Sequence, residues 1–238
     1  MGFEGKLAFS PWVSASLLLY LLGSQALRLN IAVCVLAWLA DHGVWEPIWW
    51  GVRLGYLIGL PYLALLAGAA SPYGMGLIEL DWVRTLGLGI PLAIAAWGLI
   101  LVGWRWANPV PANSNPTHHR DVRTGGWLLA MLEAGAQQMH WAFYRDAWIR
   151  WWDPYWGAWI SLLTIWLEGI SGIWSWHICS ASLRTFLINA LLALVTTALY
   201  LTVPNWWLGW GLHVLVLLGT RIAIGPMPVP MRPRSTND

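Results

Sequence analysis

The stretch MHWAFYRDAWIRWWDPYW, residues 139–156, decides how this chain is expected to fold. It sets one histidine, two arginines and two aspartates among aromatic rings, with long apolar runs before and after it. Asp153 and Pro154 are turn-forming residues, so the stretch predicts the end of one helix, a tight turn and the start of the next. The composition of the whole chain indicates whether lipid or water surrounds this helix pair.

The composition is typical of an integral membrane protein. Of 238 residues, 58% are hydrophobic and only 10% are charged, and the mean hydropathy is +0.56. Soluble domains carry about 25% charged residues. We therefore expect an all-α, polytopic transmembrane helical bundle that forms a single domain over residues 1–238. The net charge is only +2, and the sequence has no basic stripe of the kind that binds nucleic acid. The expected partner is therefore the lipid bilayer.

Eight apolar runs are candidate spans, each needing about 20 residues to cross. They cover residues 8–27, 29–40, 48–70, 85–104, 126–146, 155–176, 185–203 and 206–224. The second run has only twelve residues, which is too short for an upright crossing. The sequence thus predicts seven or eight spans.

The polar segment 107–126 sets the expected orientation. It is the longest hydrophilic loop and contains His118 and His119, which we expect to be solvated. Placing it in the cytoplasm puts most loop arginines and the polar tail 225–238 on the same side, as the positive-inside rule requires. Both termini are then cytoplasmic, and the loops containing SPYGMGLIEL (71–80) and VPNW (203–206) lie together on the opposite side.

Tryptophan is unusually frequent, with 22 residues, and many stand at the predicted span ends. Examples are the clusters at 48–50, 104–106, 151–152 and 205–207. Tryptophan favours the boundary between lipid and water, so these clusters predict interfacial belts. We expect His177 to lie in such a belt, and Arg150 to reach lipid headgroups.

Ionisable side chains within the apolar runs are the candidate functional residues. Glu133, Gln137 and His140 follow one another at steps of four and three, which places them on one helix face, and we expect Arg145 close to that face. Ionisable groups at bilayer depth normally face the interior or a cavity. We therefore expect five residues to converge on one intramembrane cavity: Glu133, His140, Arg145, Glu168 and His213. The alternative is that each belongs to a separate hydrogen-bonded pair that joins helices.

Three segments resemble a known family. They are DWVRTLGLGIPLAIAAWGLIL (81–101), HWAFYR (140–145) and LVTTALYLTVPNWWLGWGLHVLVLL (194–218). In order and character they resemble the core helices of the CPBP or Abi proteins, a family of intramembrane type II CAAX prenyl endopeptidases and bacteriocin-processing proteins. The resemblance covers roughly residues 81–219 and implies a CPBP-like core.

The family's motif residues are only partly present. Arg145 matches the arginine of the EExxxR motif, and His213 matches the last histidine. His140 and Trp141 stand where the two glutamates would be, Glu168 is the polar residue of the helix that would carry the middle histidine, and Leu217 replaces a polar partner. In the family a glutamate is thought to activate water for peptide hydrolysis, so these replacements fall on the chemistry itself.

Three functions follow from this pattern. The first is a non-catalytic binding or scaffold subunit in a larger assembly of integral membrane proteins, which hydrolyses no peptide bond. The second is a divergent intramembrane CAAX-type endopeptidase or related hydrolase, in which Glu133 or Glu168 acts with His140 and His213. The third is a metal-binding or tetrapyrrole-binding membrane subunit, although the specific metal motifs HExxH and CxxC are both missing from the sequence.

Arg145 is expected to have a structural rather than a catalytic role. A buried charge needs compensation, so the sequence predicts that Arg145 pairs with Asp146, Asp153 or Glu168, or with carbonyls at a helix end.

Overall fold

A computed structural model describes residues 10–26, 45–107, 126–175 and 180–224. Within those ranges every regular element is helical, which confirms the all-α class. Several sequence predictions fall outside the described residues: the short run 29–40, the histidines His118, His119 and His177, and the tail 225–238.

The helices follow the apolar runs closely. In chain order they are α1 (Ser10–Ala26), α2 (Trp45–Leu54), α3 (Leu60–Leu66), α4 (Trp82–Arg84), α5 (Ile90–Ala107), α6 (Gly126–Trp151), α7 (Pro154–Ser175), α8 (Ser180–Thr202) and α9 (Trp206–Ile224). A π-helical turn, π1 (Gly55–Gly59), joins α2 to α3, and a second, π2 (Thr85–Gly89), joins α4 to α5. In the part of the chain that the structure describes, seven continuous helical segments therefore stand where seven of the eight runs were predicted.

The two π-helical turns share a sequence cause. Each ends in glycine and is followed by a residue and a proline, with Pro61 after π1 and Pro91 after π2. Proline has no backbone N–H and its ring collides with the carbonyl of the preceding turn, so the helix must widen there. Such widened turns often place a side chain for a specific contact.

Helix α6 is the centre of the bundle. It packs against α7, α9 and π1, while α7 also packs against α1 and α8, and α9 against α5. A tight connection brings α6 and α7 together: a Cβ at Gly157 would lie 2.5 Å from the backbone nitrogen of Ile149. Asp153 caps α7 by accepting hydrogen bonds from Tyr155 N at 2.8 Å and Trp156 N at 2.9 Å, which confirms the predicted turn.

Two loops meet at one end of the bundle, as the sequence predicted. The backbone N–H of Trp206 donates to the carbonyl of Gly76 at 2.9 Å. Asn205 caps α9 through Trp207 N, and its side-chain amide reaches Thr85 of π2 at 3.1 Å. Gly76 has φ +71°, a conformation that favours glycine, and a Cβ there would lie 3.1 Å from the Pro204 carbonyl.

One described helix, Trp82–Trp106, is long and apolar enough to cross a membrane. It runs through α4, π2 and α5, has 25 residues, and its most apolar stretch has a mean hydropathy of 2.1 with only 17% of that stretch buried. Leu99, Val102 and Trp106 are all exposed on it. Shorter apolar helical stretches are Pro11–Tyr20, Trp50–Leu66, Phe186–Thr202 and Trp206–Gly219.

The described bundle has an apolar core, and it also combines buried ionisable side chains with many exposed apolar ones. Ionisable side chains are fully buried in the bundle, namely His140, Arg145, Asp146 and His213. Large apolar side chains lie exposed on the outside of most described helices; Leu19, Leu63, Leu99, Leu132, Leu167 and Leu187 are each more than half exposed. Soluble monomers seldom show contiguous exposed apolar surface on this scale.

Candidate functional site

Helix α6 carries most of the buried polar side chains, and its geometry sorts them onto two faces. At 3.6 residues per turn, Gln138 and His140 lie about 160° apart around the helix. Arg145 lies about 140° from His140 but only about 20° from Gln138. The expectation that Arg145 shares the face of His140 is therefore wrong, because a separation of five residues does not return to the same side.

The His140 face meets α1, π1 and α7. His140 is 1% exposed, and its Nε2 lies 3.4 Å from Oε2 of Glu168 on α7. The imidazole packs between the rings of Tyr56 and Tyr144, with centroid distances of 4.7 and 4.6 Å. In the described part of the chain, neither imidazole nitrogen has a partner with hydrogen-bond geometry.

Three hydroxyl groups connect this face to Glu168. The hydroxyls of Ser16, Tyr56 and Tyr144 lie within 2.9 to 3.3 Å of one another. Tyr56 donates to Oε1 of Glu168 at 3.1 Å. Since each hydroxyl has only one proton to donate, Tyr56 must accept from Ser16 or Tyr144 while it donates to the carboxylate. The chain of hydrogen bonds therefore ends at the Glu168 carboxylate.

The opposite face of α6 meets α8 and α9 through Gln138 and Arg145. Gln138 Nε2 lies 3.3 Å from His213 Nδ1, and its Oε1 lies 3.5 Å from the Arg145 guanidinium. Trp141 stacks on the imidazole of His213, with centroids 5.6 Å apart and planes 13° from parallel. Gln138 and His213 are both fully buried.

Arg145 fixes the hydrogen-bonding roles on this face. Arginine can only donate, so the amide atom of Gln138 that faces it must be the oxygen. The amide NH₂ group then faces His213 and donates to Nδ1, which leaves the proton of the neutral imidazole on Nε2. The order Arg145, Gln138, His213 thus selects one tautomer of His213.

The guanidinium of Arg145 is 4% exposed and is held mainly by neutral groups. It donates to the carbonyls of Trp141 and Thr196, each at 3.3 Å, and lies 5.1 Å from the centroid of the Tyr200 ring. Both carbonyls belong to helix interiors, on α6 and α8. The predicted pairing with an acid is not observed among these contacts, and the carbonyls are not at helix ends.

Glu133 shares the face of His140 but belongs to a different pair. It contacts Arg53 of α2, with Nη2 and Oε1 2.5 Å apart and both side chains partly exposed. Arg53 stands one turn before Tyr56, so α2 and π1 run along the face that carries Glu133 and His140. The predicted common face of Glu133 and His140 is confirmed.

The structure does not bring the five candidate residues together in one cavity. His140 and Glu168 form one group, Arg145 and His213 form a second through Gln138, and Glu133 pairs with Arg53. The physical reason is that α6 separates the first two groups, since it is the central helix of the bundle.

Asp146 and Arg150 form a further contact at the end of α6. Their side chains are paired at 3.1 Å, and Asp146 accepts the backbone N–H of Ser71 at 2.8 Å. A Cβ at Gly74 would collide with the Asp146 carboxylate. Arg150, which was expected to reach lipid headgroups, pairs with Asp146, and Asp146 in turn accepts the backbone N–H of Ser71 in the 67–81 loop.

A metal or tetrapyrrole site requires side chains whose ligand atoms are free to reach the metal. Among the residues that the structure describes, no three histidine, cysteine, aspartate or glutamate side chains are grouped so as to hold a metal ion. Tyr56 and Tyr144 pack against His140, and Trp141 stacks on His213, so a flat macrocycle would have to displace these rings to reach either imidazole.

Sequence reasoning missed four members of the two groups. Ser16, Tyr56 and Tyr144 are ordinary residues within apolar helices, and no spacing in the sequence links them to Glu168. Gln138 had a usable signal, because its seven-residue separation from Arg145 places both on one face of α6.

No known protein family matches this chain, and no curated protein or solved structure does either.

Proposed function

We propose that this chain is a polytopic membrane protein of seven or eight spans, with both termini cytoplasmic, that acts as a non-catalytic binding or scaffold subunit of a larger membrane assembly. The proposal rests on the contacts of the buried polar side chains of α6. Gln138, Tyr144, Arg145 and Asp146 all contact other helices or loops. Hydrogen bonds between helices are one of the interactions that hold membrane bundles together.

A bilayer is supported by the surface of the bundle and by helix length. The exposed side chains are largely apolar and the buried ones include charges, which suits hydrocarbon outside and a polar interior. Helices of 22, 23 and 19 residues, α7, α8 and α9, are about 28 to 35 Å long, close to the thickness of the hydrocarbon core.

The CPBP-like core remains part of the proposal. It is supported by the order of helices over residues 81–219 and by the contact between the two motif positions that the chain keeps. Arg145 and His213 are joined through Gln138. His140 and Trp141 stand at the glutamate positions, and Trp141 is used to stack on His213 rather than to activate water.

The divergent hydrolase is a second candidate because one observation favours it. His140 and Glu168 place an imidazole beside a carboxylate at 3.4 Å, with the Tyr56 hydroxyl on the same carboxylate. A general base needs such an arrangement, together with access for water and substrate. Glu168 is 12% exposed and His140 only 1% exposed.

The deciding experiment combines purification with an activity assay. The chain is extracted in a mild detergent, and proteins that co-purify with it are identified and quantified by mass spectrometry. We expect a stoichiometric membrane partner and no cleavage of prenylated or signal-like peptides after reconstitution.

The activity arm compares the parent with a His140→Ala, Glu168→Gln double variant, and uses Glu133→Gln as the matched control. Turnover by the parent and by Glu133→Gln that disappears in the double variant would establish the hydrolase instead. A chain that purifies alone in several mild detergents, with no turnover, would contradict the scaffold function.

A further inference from the structure

Residues 69–77, the cap segment, fold across one end of the bundle and fill it. Met75 is fully buried, and Ala69 and Ala70 are each only 5% exposed, whereas Tyr73 is 63% exposed. Loops normally run over the surface of a protein, because a buried loop leaves backbone groups without water. The cap segment therefore has one side inserted among the helix ends and one side facing outward.

The cap segment is held by hydrogen bonds to α6, α8 and α9. These bonds join the Ser71 N–H to Asp146 at 2.8 Å, the Tyr200 hydroxyl to the Gly74 carbonyl at 2.5 Å, and the Trp206 N–H to the Gly76 carbonyl at 2.9 Å. Each bond comes from a different helix, and each involves a backbone group of the cap segment. A segment held by a few separate bonds is a unit that can open locally while the rest of the fold stays in place.

The cap segment keeps its own shape and is bordered by two unusual backbone conformations. Inside it, the N–H of Met75 donates to the carbonyl of Ser71 at 2.9 Å. Gly68, just before it, has φ +70°, and Glu79, just after it, has φ +56°. Positive φ strains a residue that has a side chain, and hinges are the few loop residues that absorb a change of backbone angles. Gly68 and Glu79 are therefore the positions about which the segment can swing as one unit.

Tyr200 connects the cap segment to a buried cation beneath it. Its hydroxyl donates to the carbonyl of Gly74, and its ring centroid lies 5.1 Å from the guanidinium carbon of Arg145. Among the described residues, the acceptors of that guanidinium are all neutral oxygens. A guanidinium has five N–H donors, and these acceptors engage three of them, so two remain for an acceptor such as water.

We propose that the cap segment is a lid, which opens about Gly68 and Glu79 and admits water and small water-soluble molecules to Arg145. The structure shows the closed form, in which Arg145 is only 4% exposed. Opening breaks the hydrogen bonds to α6, α8 and α9 and exposes Met75, while the helices keep their positions. This inference goes beyond the scaffold function and holds whichever partner the chain binds.

A disulfide between Gly74 and Asp146 can lock the lid. A Cβ at Gly74 would lie 3.5 Å from the Cβ of Asp146. Disulfides join Cβ atoms that are about 3.5 to 4.5 Å apart. After Cys34 and Cys179 are replaced by alanine, the variant Gly74→Cys, Asp146→Cys should therefore cross-link under mild oxidation. Failure to cross-link would contradict the closed position of the cap segment.

A reporter cysteine measures access beneath the lid. Thr196 is 2% exposed, its carbonyl contacts Arg145, and it lies one turn from Tyr200 on the same face of α8. The full chain with Thr196→Cys, in bilayer discs, is treated with a water-soluble thiol reagent, and modification of residue 196 is followed by peptide mass spectrometry. Leu192→Cys, at a fully buried position one turn further along α8, reports opening of the bundle itself.

We expect the disulfide to block modification of residue 196, and its reduction to restore it. Tyr200→Phe keeps the ring over Arg145 and removes the bond to Gly74, so modification should become at least about fivefold faster, because the rate follows the open fraction. Tyr155→Phe, at an exposed tyrosine, should leave the rate unchanged. At residue 192 the rate should be the same in every variant.

Equal modification of residue 196 in the locked and reduced forms would overturn the proposal. Equal rates in the parent and Tyr200→Phe would overturn it as well. A matching increase at residue 192 would also do so, because the whole bundle would then be opening. If Tyr200→Phe does not fold, the comparison of the locked and reduced forms decides alone.

Discussion

The two faces of α6 each meet a buried histidine, and the two histidines differ in how they are constrained. On one face, His213 of α9 is held by Gln138, which is itself oriented by Arg145, so each donor has an assigned acceptor. On the other, His140 lies between two tyrosine rings, close to Glu168 but without a hydrogen bond of good geometry in the described residues. A fully engaged polar group stiffens a bundle, while a buried polar group without a hydrogen bond costs free energy.

Arg145→Leu should produce the largest loss of stability, because it removes the residue that orients the constrained face. The variant loses donors to the carbonyls of Trp141 and Thr196 and leaves Gln138 free to rotate. We expect the free energy of unfolding in bilayer discs to fall by about 3 kcal/mol. Arg105→Leu, at an exposed arginine, should change it by less than about 0.5 kcal/mol. Equal stability of Arg145→Leu and the parent would show that the constrained face does not hold the bundle together.

Tyr56→Phe tests the His140 face through the same quantity, the free energy of unfolding. The change keeps the ring beside His140 and removes only the hydroxyl that donates to Glu168 at 3.1 Å. Hydrogen bonds to charged groups contribute about 2 kcal/mol, so we expect a loss of that size in the same unfolding measurement. Tyr62→Phe, at an exposed tyrosine on α3, is the control. If both variants unfold alike, the hydroxyl chain does not stabilise the carboxylate.

Two glycines on α9, Gly209 and Gly211, differ in whether they face the Gln138 side chain. A Cβ at Gly209 would lie 3.2 Å from Oε1 of Gln138, which Arg145 and His213 hold in place, whereas a Cβ at Gly211 would meet nothing within 4 Å. Alanine in a helix is favoured over glycine by about 1 kcal/mol. We expect Gly211→Ala to gain this stability and Gly209→Ala to lose most of it to the contact with Gln138. Equal gains in thermal unfolding would mean that Gln138 can move.

Glu133→Gln should have the smallest effect. The pair with Arg53 is partly exposed, and such pairs contribute about 0.5 kcal/mol when water reaches them. A loss as large as that of Arg145→Leu would instead place this pair in hydrocarbon, where an unmatched arginine is costly.

The sequence predicts the helices better than it predicts their contacts. Hydrophobic runs bounded by proline, asparagine and glycine determine where helices begin and end, and the described helices follow them closely. Contacts between helices depend on how each helix is rotated about its own axis, and the hydropathy of the sequence does not specify that rotation. Helical geometry alone separates Arg145 from His140, but it cannot show that Ser16 and Tyr56 meet Glu168, because these residues are distant in sequence and have no distinctive spacing.

Whether lipid covers the apolar outer surface of the bundle can be measured with spin labels. Spin labels are placed singly at Leu99 and Val102 of α5, which are 75% and 59% exposed on the bundle, and the chain is reconstituted in bilayers. If hydrocarbon covers this surface, both labels will be relaxed by dissolved oxygen and protected from a water-soluble paramagnetic reagent. Labels that respond fully to the water-soluble reagent at both positions would contradict a bilayer-embedded bundle, and with it the proposed role of its polar interior.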